Sequence, residues 1–306
     1  MVGVIILVTF LPICLFVYTD YTESVDDLDL AFNRSEVSSN KEAFKIDYIE
    51  SSFADDSLDN VSDGKNQLGD TGNGKSGILF GNYPGELFAI SMTGEGSGAG
   101  EGLMGDGGKA YGLMQLDYRY ALIPFCQWAY SAYPDVWSGL APFQNVGRGD
   151  PVLKNNSQVL SAFEDARSRN PKDFVSSQCE FFKVTYFDGT SSALKKQGID
   201  LDKRNIAVSA ALLSIQVNAG SITKKVCAVL TNQMTDEEMI HVLYENRRNG
   251  NFASSGGSNQ RWQKDGEEAQ CMALLSGTWK IDQDYTAADQ YSGGWYWSKL
   301  KSIYFE

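Results

Sequence analysis

Nine glycines fall within the nineteen residues from 94 to 112, and no other stretch of the chain restricts its fold as strongly. Glycine loses the most backbone freedom on folding and brings no side chain to a core, so this run suits neither a helix nor an ordinary strand. It predicts a long loop with close backbone approach, or a short hairpin. The flanking texture is different. A short apolar segment, ELFAISMTG, leads into the run. Downstream, Ser157–Arg169 and residues 171–186 carry apolar side chains at helical spacing. Residues 203–216, KRNIAVSAALLSIQ, are apolar on most faces and predict a buried central helix. Residues 235–245 open on TDEE, an N-terminal cap followed by acidic first-turn residues. Residues 260–275 predict one more helix. The chain reads as mostly α with one glycine-built exception.

The N-terminal segment stands apart. Residues 1–19 hold no charged side chain and end at Asp20. That length is just enough to cross a bilayer as a helix. With no Lys/Arg n-region and no small-x-small site before Asp20, the segment reads as a transmembrane anchor or an uncleaved signal. The acidic flank after it predicts a membrane-anchored chain with an exported domain, or a secreted one if cleavage occurs. Residues 20–85 then carry 14 acidic against 5 basic side chains, which predicts an acidic disordered linker. Residues 86–306 remain as the folded, catalytic part.

Charge and histidine content remove several functions. The net charge is -13, and no local basic stripe offsets it, so nucleic acid is not an expected partner. The single histidine, His241, excludes any site needing two imidazoles. Cys126, Cys179, Cys227 and Cys271 allow three disulfide pairings or buried free thiols, and no C-x-x-C suggests zinc. Residues 69–76, GDTGNGKS, fit the P-loop pattern. A P-loop needs a strand before the glycines and a helix after the Ser, yet SDGKNQL precedes it and Gly81 and Pro84 interrupt the residues beyond. Asp59, Asp63 and Gly64 hint at a calcium loop in which Val61 occupies a ligand position.

The chemistry concentrates in the glycine run. Glu95 ends the apolar segment, and Asp106 and Asp117 come after it on glycine-rich backbone. Glycoside cleavage needs a protonated carboxyl for the leaving oxygen and, with inversion, an ionised carboxylate to activate water. A Glu at a helix end walled by apolar side chains suits the acid. Glu101 competes, being nearer Asp106, but glycines flank it. The alternative is that all of these are solvated loop acids.

The run GDGGKAYGLMQLDYR, residues 105–119, resembles the signature of goose-type lysozymes and the related lytic transglycosylases. The resemblance implies a lysozyme-like helical domain, with a small glycine-rich loop or β-hairpin at its active site. Asp106 and Asp117 fall on the family's two Asp positions and Glu95 on its acid. Gly112, Gln115 and Tyr111 fall in the sugar-binding stretch. Asn218, in Val217-Asn218-Ala219-Gly220, fits the family's Tyr-Asn-Ala-Gly turn with Val217 in place of Tyr; Tyr111 or Tyr244 could supply the missing contact. The resemblance implies a muramidase cutting the MurNAc-GlcNAc bond of peptidoglycan. It implies no metal or organic cofactor, and a secretion, conjugation or phage apparatus as context. A lytic transglycosylase and a catalytically weak glycan-binding scaffold are the alternatives.

Overall fold

The computed structural model describes residues 74–96, 98–254, 259–286 and 293–306. The chain divides into two units, Met1–Leu68 and Gly69–Glu306, and the described residues belong to the second. In chain order they form β1 (Leu79–Phe80) and β2 (Tyr83–Pro84), then α1 (Glu86–Gly94), then β3 (Met104–Gly105), β4 (Ala110–Tyr111) and β5 (Leu116–Asp117). Helices α2 (Leu122–Ala132), α3 (Ser157–Arg169), α4 (Pro171–Phe182), α5 (Asp188–Lys196), α6 (Ile206–Ala219), α7 (Thr223–Val229), α8 (Asp236–Arg248) and α9 (Glu267–Ser276) come next. The hairpin β6 (Tyr285–Thr286) with β7 (Gly294–Trp295) and helix α10 (Trp297–Tyr304) close the chain. The described protein is mostly helical, with three small antiparallel sheets.

Helix α6 is the axis. Every residue from Ile206 to Gln216 is buried, so the helix has no solvent face to leave polar. The Asn205 side chain accepts the Ala207 N–H at its start (3.0 Å), and Gly220 (φ 77°) ends it. Helices α1, α8 and α9 pack against it. Helix α1 is itself buried from Glu86 to Thr93. Helix α8 starts on a full capping box, with Thr235 and Glu238 each satisfying the other's backbone N–H. A second cluster, around Phe125, Trp137, Phe163, Phe174 and Phe181, joins α2, α3 and α4; Phe125 and Trp137 meet edge to face at 5.0 Å.

Three sequence expectations change. The membrane-anchored placement is not upheld: among the described residues no helix is long and apolar enough to cross a membrane, and residues 1–19 lie outside them. The stretch assigned to an acidic linker includes folded residues, because Phe80 is buried and packs on Phe88, Trp295 and Phe305. The apolar residues after Asp117 predict a helix starting near Tyr118, and the helix begins instead at Leu122. Asp117 delays it: its carboxylate accepts the Arg119 N–H (2.8 Å) and its carbonyl accepts those of Tyr120 and Ala121, making a turn first.

The thiol and P-loop readings resolve structurally. Cys126, Cys179, Cys227 and Cys271 are free thiols. Trp137, Trp262, Trp279 and Trp295 are core residues. After Ser76 the chain enters the β1–β2 hairpin instead of a helix, so the geometry a P-loop needs is not formed there. The calcium-loop residues 59–70 lie outside the described residues.

Candidate active site

The glycine run folds into a three-stranded antiparallel sheet, ordered β3-β4-β5, with Gly105, Ala110 and Asp117 in one register row. Asp106 is next to Gly105 in the chain, so both aspartates stand at the same end of this sheet. Asp117 is clamped by Arg119, whose Nη2 lies 2.6 Å from Oδ2 and whose Nε donates to both oxygens. That contact holds the Arg119 guanidinium charged well beyond its ordinary range. Asp106 is mostly exposed and meets the Lys109 ammonium at 3.4 Å.

Two of the sheet's candidate residues adopt left-handed backbone, Asp106 (φ 47°) and Gln115 (φ 50°). That conformation is unfavourable for residues with a side chain, and such strain gathers at functional sites. The Gln115 amide donates to the Gly112 carbonyl (2.9 Å) and its oxygen fills the space a Gly105 side chain would need. Tyr111 and Gly112 are both buried. The Tyr111 hydroxyl donates to the Leu153 carbonyl (2.7 Å) and accepts the Asn156 N–H (2.8 Å), so both of its hydrogen-bonding roles are occupied inside the fold.

Glu95 is the C-terminal cap residue of α1, its N–H bonded to the Ser91 carbonyl (2.9 Å). Its surroundings are not the apolar wall the sequence predicts. Arg261 donates from Nη1 to Glu95 Oε1 (2.7 Å) and to the Gly94 carbonyl (3.1 Å). The same guanidinium donates from Nε to Glu267 Oε1 (2.5 Å). Glu267 is fully buried, and its other oxygen accepts the hydroxyls of Ser214 (2.7 Å) and Tyr244 (3.1 Å). Burial pushes the Glu267 carboxyl up, against the opposing pull of Arg261 and Ser214. Arg247 stacks on one side of the set, 4.3 Å from the Trp262 ring, with Arg261 at 4.4 Å from the same ring. Burial, with the like charge of Arg261, pushes Arg247 down to about 10.

Asn218 joins this network from α6. It is exposed, and its side-chain oxygen accepts from Arg247 Nη2 at 2.6 Å. Tyr244 meets Glu267, not Glu95. Glu101 pairs on the surface with Lys299 (2.8 Å). Sequence reasoning missed Arg261, Glu267 and Ser214, the residues that hold Glu95. The available signal was Glu267 itself, a carboxylate opening a helix with a buried face. Two open surface hollows of about 390 and 400 Å³ lie elsewhere, one lined by Gly139, Ser157 and Asp165 and the other by Asp200 and Arg204. Among the described residues, no cluster of three or more His, Cys, Asp or Glu is arranged to hold a metal ion.

Fold and site together define a helical domain built round a buried ion-pair network, with one carboxylate at its edge and two more on a glycine-built sheet. Residues 89–269 match the family described as type VI secretion system spike protein VgrG3-like, C-terminal. The match covers more than half of the chain, and the chain belongs to that family. It corrects the assignment drawn from residues 105–119: the family is that of a secretion-system spike, not goose-type lysozyme or lytic transglycosylase. Glu95, Asp106, Asp117, Asn218, Arg261 and Glu267 all lie inside the matched stretch. No curated protein and no solved structure matches the chain.

Proposed function

We propose that this chain is a peptidoglycan glycan-strand hydrolase, a muramidase, working with a type VI secretion apparatus. The observation that carries the reading is Glu95, a partly exposed carboxyl fixed at the end of a buried helix by Arg261. Fixing a reacting group before substrate arrives removes orientational entropy from the barrier. Glu95 donates a proton to the leaving glycosidic oxygen as the bond to the anomeric carbon breaks. Asp106 and Asp117 are the candidates for activating the water that completes hydrolysis with inversion, and Asn218 and Gln115 for binding sugar. This chemistry runs on carboxyl groups and water alone. Membership in the spike family supports the secretion context.

The test is incubation of the full chain, beside Glu95→Gln, with purified peptidoglycan and mass spectrometry of the soluble fragments. Reducing-end muropeptides that fall by about 100-fold or more in the variant are expected for loss of a general acid. Anhydro products would replace hydrolysis with transglycosylation. Binding to the wall without Glu95-dependent release would make the chain a glycan-binding spike domain and end the hydrolase reading.

A further inference from the structure

We propose that Arg261 is the positioning residue of Glu95: held from behind by Glu267 and Ser214, it aims the Glu95 carboxyl at the bond to be broken. The inference rests on the reading of Glu95 as the acid.

The geometry runs outward from the core. Glu267 has no exposed surface, Arg261 is 7% exposed, and Glu95 is the end of the chain of contacts that reaches solvent. The guanidinium is a rigid planar fork, and this one directs each edge to a different partner. Nε goes to Glu267, Nη1 to Glu95 and the Gly94 carbonyl, and Nη2 to Ser214 (3.3 Å). The guanidinium also lies against the Trp262 ring. Glu267 cannot swing toward Glu95, because Ser214 and Tyr244 hold its second oxygen. The helix end is shaped to admit the pair: a side chain at Gly94 would place its Cβ 2.0 Å from Glu267 Oε1 and 2.5 Å from Arg261 Cζ.

Stability alone does not account for this arrangement. Desolvating two charges costs several kcal/mol per ion, and well-packed apolar replacements of buried pairs are often as stable or more so. Here the buried pair ends on the carboxyl that the proposed chemistry uses as its acid. Among the described residues, three helices supply the side chains that surround Arg261 and Glu267. Helix α8 contributes Arg247 and Tyr244, α9 contributes Glu267 and Cys271, and α6 contributes only the uncharged Ser214 and Asn218. His241, Arg248 and Glu268 pair among themselves. Arg261 is therefore shared between two carboxylates, and removing either partner changes what the other feels.

Loss of positioning appears as a fall in kcat at unchanged KM in a folded variant, with recovery in the conservative one, which a merely structural role does not predict. Glu267→Gln weakens the support behind the guanidinium and lowers kcat, by less than removal of Arg261 itself, with KM little changed. Arg261→Met removes the contact that fixes the Glu95 carboxyl and lowers kcat by about 10- to 100-fold with KM little changed. Arg261→Lys keeps a cationic donor beside Glu95 without the planar fork, so kcat partly recovers. The experiment measures kcat and KM on soluble glycan strands for the full chain, these variants and Glu95→Gln, with folding checked by circular dichroism. If Arg261→Met does not fold, Glu267→Gln and Arg261→Lys carry the same test. An active parent, an inactive Glu95→Gln and unchanged kcat in the folded Arg261 and Glu267 variants overturn the role of Arg261 alone. An inactive parent, or an active Glu95→Gln, overturns the underlying reading of Glu95 instead.

Discussion

Gly112→Ala separates a structural role from a binding role for one residue of the glycine run. Gly112 has φ 78°, and a Cβ there would lie 2.2 Å from Gln178 Oε1 and 2.7 Å from Phe163 Cε1. Gln178 is fully buried, accepts the Leu113 N–H at 2.8 Å and donates to the Phe174 carbonyl at 2.9 Å. The left-handed backbone costs an alanine about 1–2 kcal/mol. Pushing Gln178 aside leaves the Leu113 N–H unpaired, about 1–3 kcal/mol more. Crowding against Phe163 adds a further cost of about 1–3 kcal/mol. The substitution should therefore destabilise the domain by about 3–8 kcal/mol, or roughly 6–30 °C in Tm at about 2–4 °C per kcal/mol for a domain of this size. Urea unfolding monitored by circular dichroism measures it. A companion Gln178→Ala, alone and combined, should show coupling of about 1 kcal/mol or more, since the two changes share one clash. A Gly112→Ala chain within about 1 kcal/mol of its parent would refute the packing argument, and a raised KM at unchanged stability would return Gly112 to the sugar site.

Burial sets two further outcomes. In a Cys14→Ser background, a thiol reagent should label Cys227 in the native protein and reach Cys126, Cys179 and Cys271 only on unfolding, because burial holds those three thiols protonated and covered; fast native labelling of all four would contradict the packing. Tyr304 is buried, donates to the Gly100 carbonyl (3.1 Å), and burial pushes its phenol up to about 12. A raised folded-state value means its contribution is fully present below the unfolded value of about 10 and is lost as pH rises from there through the folded value. Stability against urea should fall over that window, less steeply in Tyr304→Phe, and identical slopes would refute the assignment.

Local rules control the parts of the fold that were legible in the sequence. Helix α3 occupies the predicted Ser157–Arg169, because its apolar residues recur at helical spacing and Asn156 caps it. Thr235 announced α8 through a capping box that needs only four consecutive residues. Glycine density announced a loop or hairpin, and a sheet of two-residue strands resulted. The family was not legible from fifteen residues. A glycine-built turn that presents two aspartates satisfies local backbone geometry, and local geometry does not fix what surrounds it; the match over 89–269 does.

The contact that defines the site was hidden for a different reason. Arg261 stands 166 residues from Glu95, and nothing in hydrophobic periodicity pairs opposite charges across such a separation. Glu267 looked like a first-turn acid of a helix, the ordinary place for one, and only packing against α6 and α1 makes it a buried anion. Yet the first glycine of the run carried the trace. Glycine at the end of a helix is usually explained by a left-handed cap, but Gly94 lies within α1 and its φ is not positive. It is glycine because Arg261 and Glu267 occupy the volume a side chain would take. A glycine whose backbone does not require it marks a place where something distant must come close, and here that something is the charge that holds Glu95.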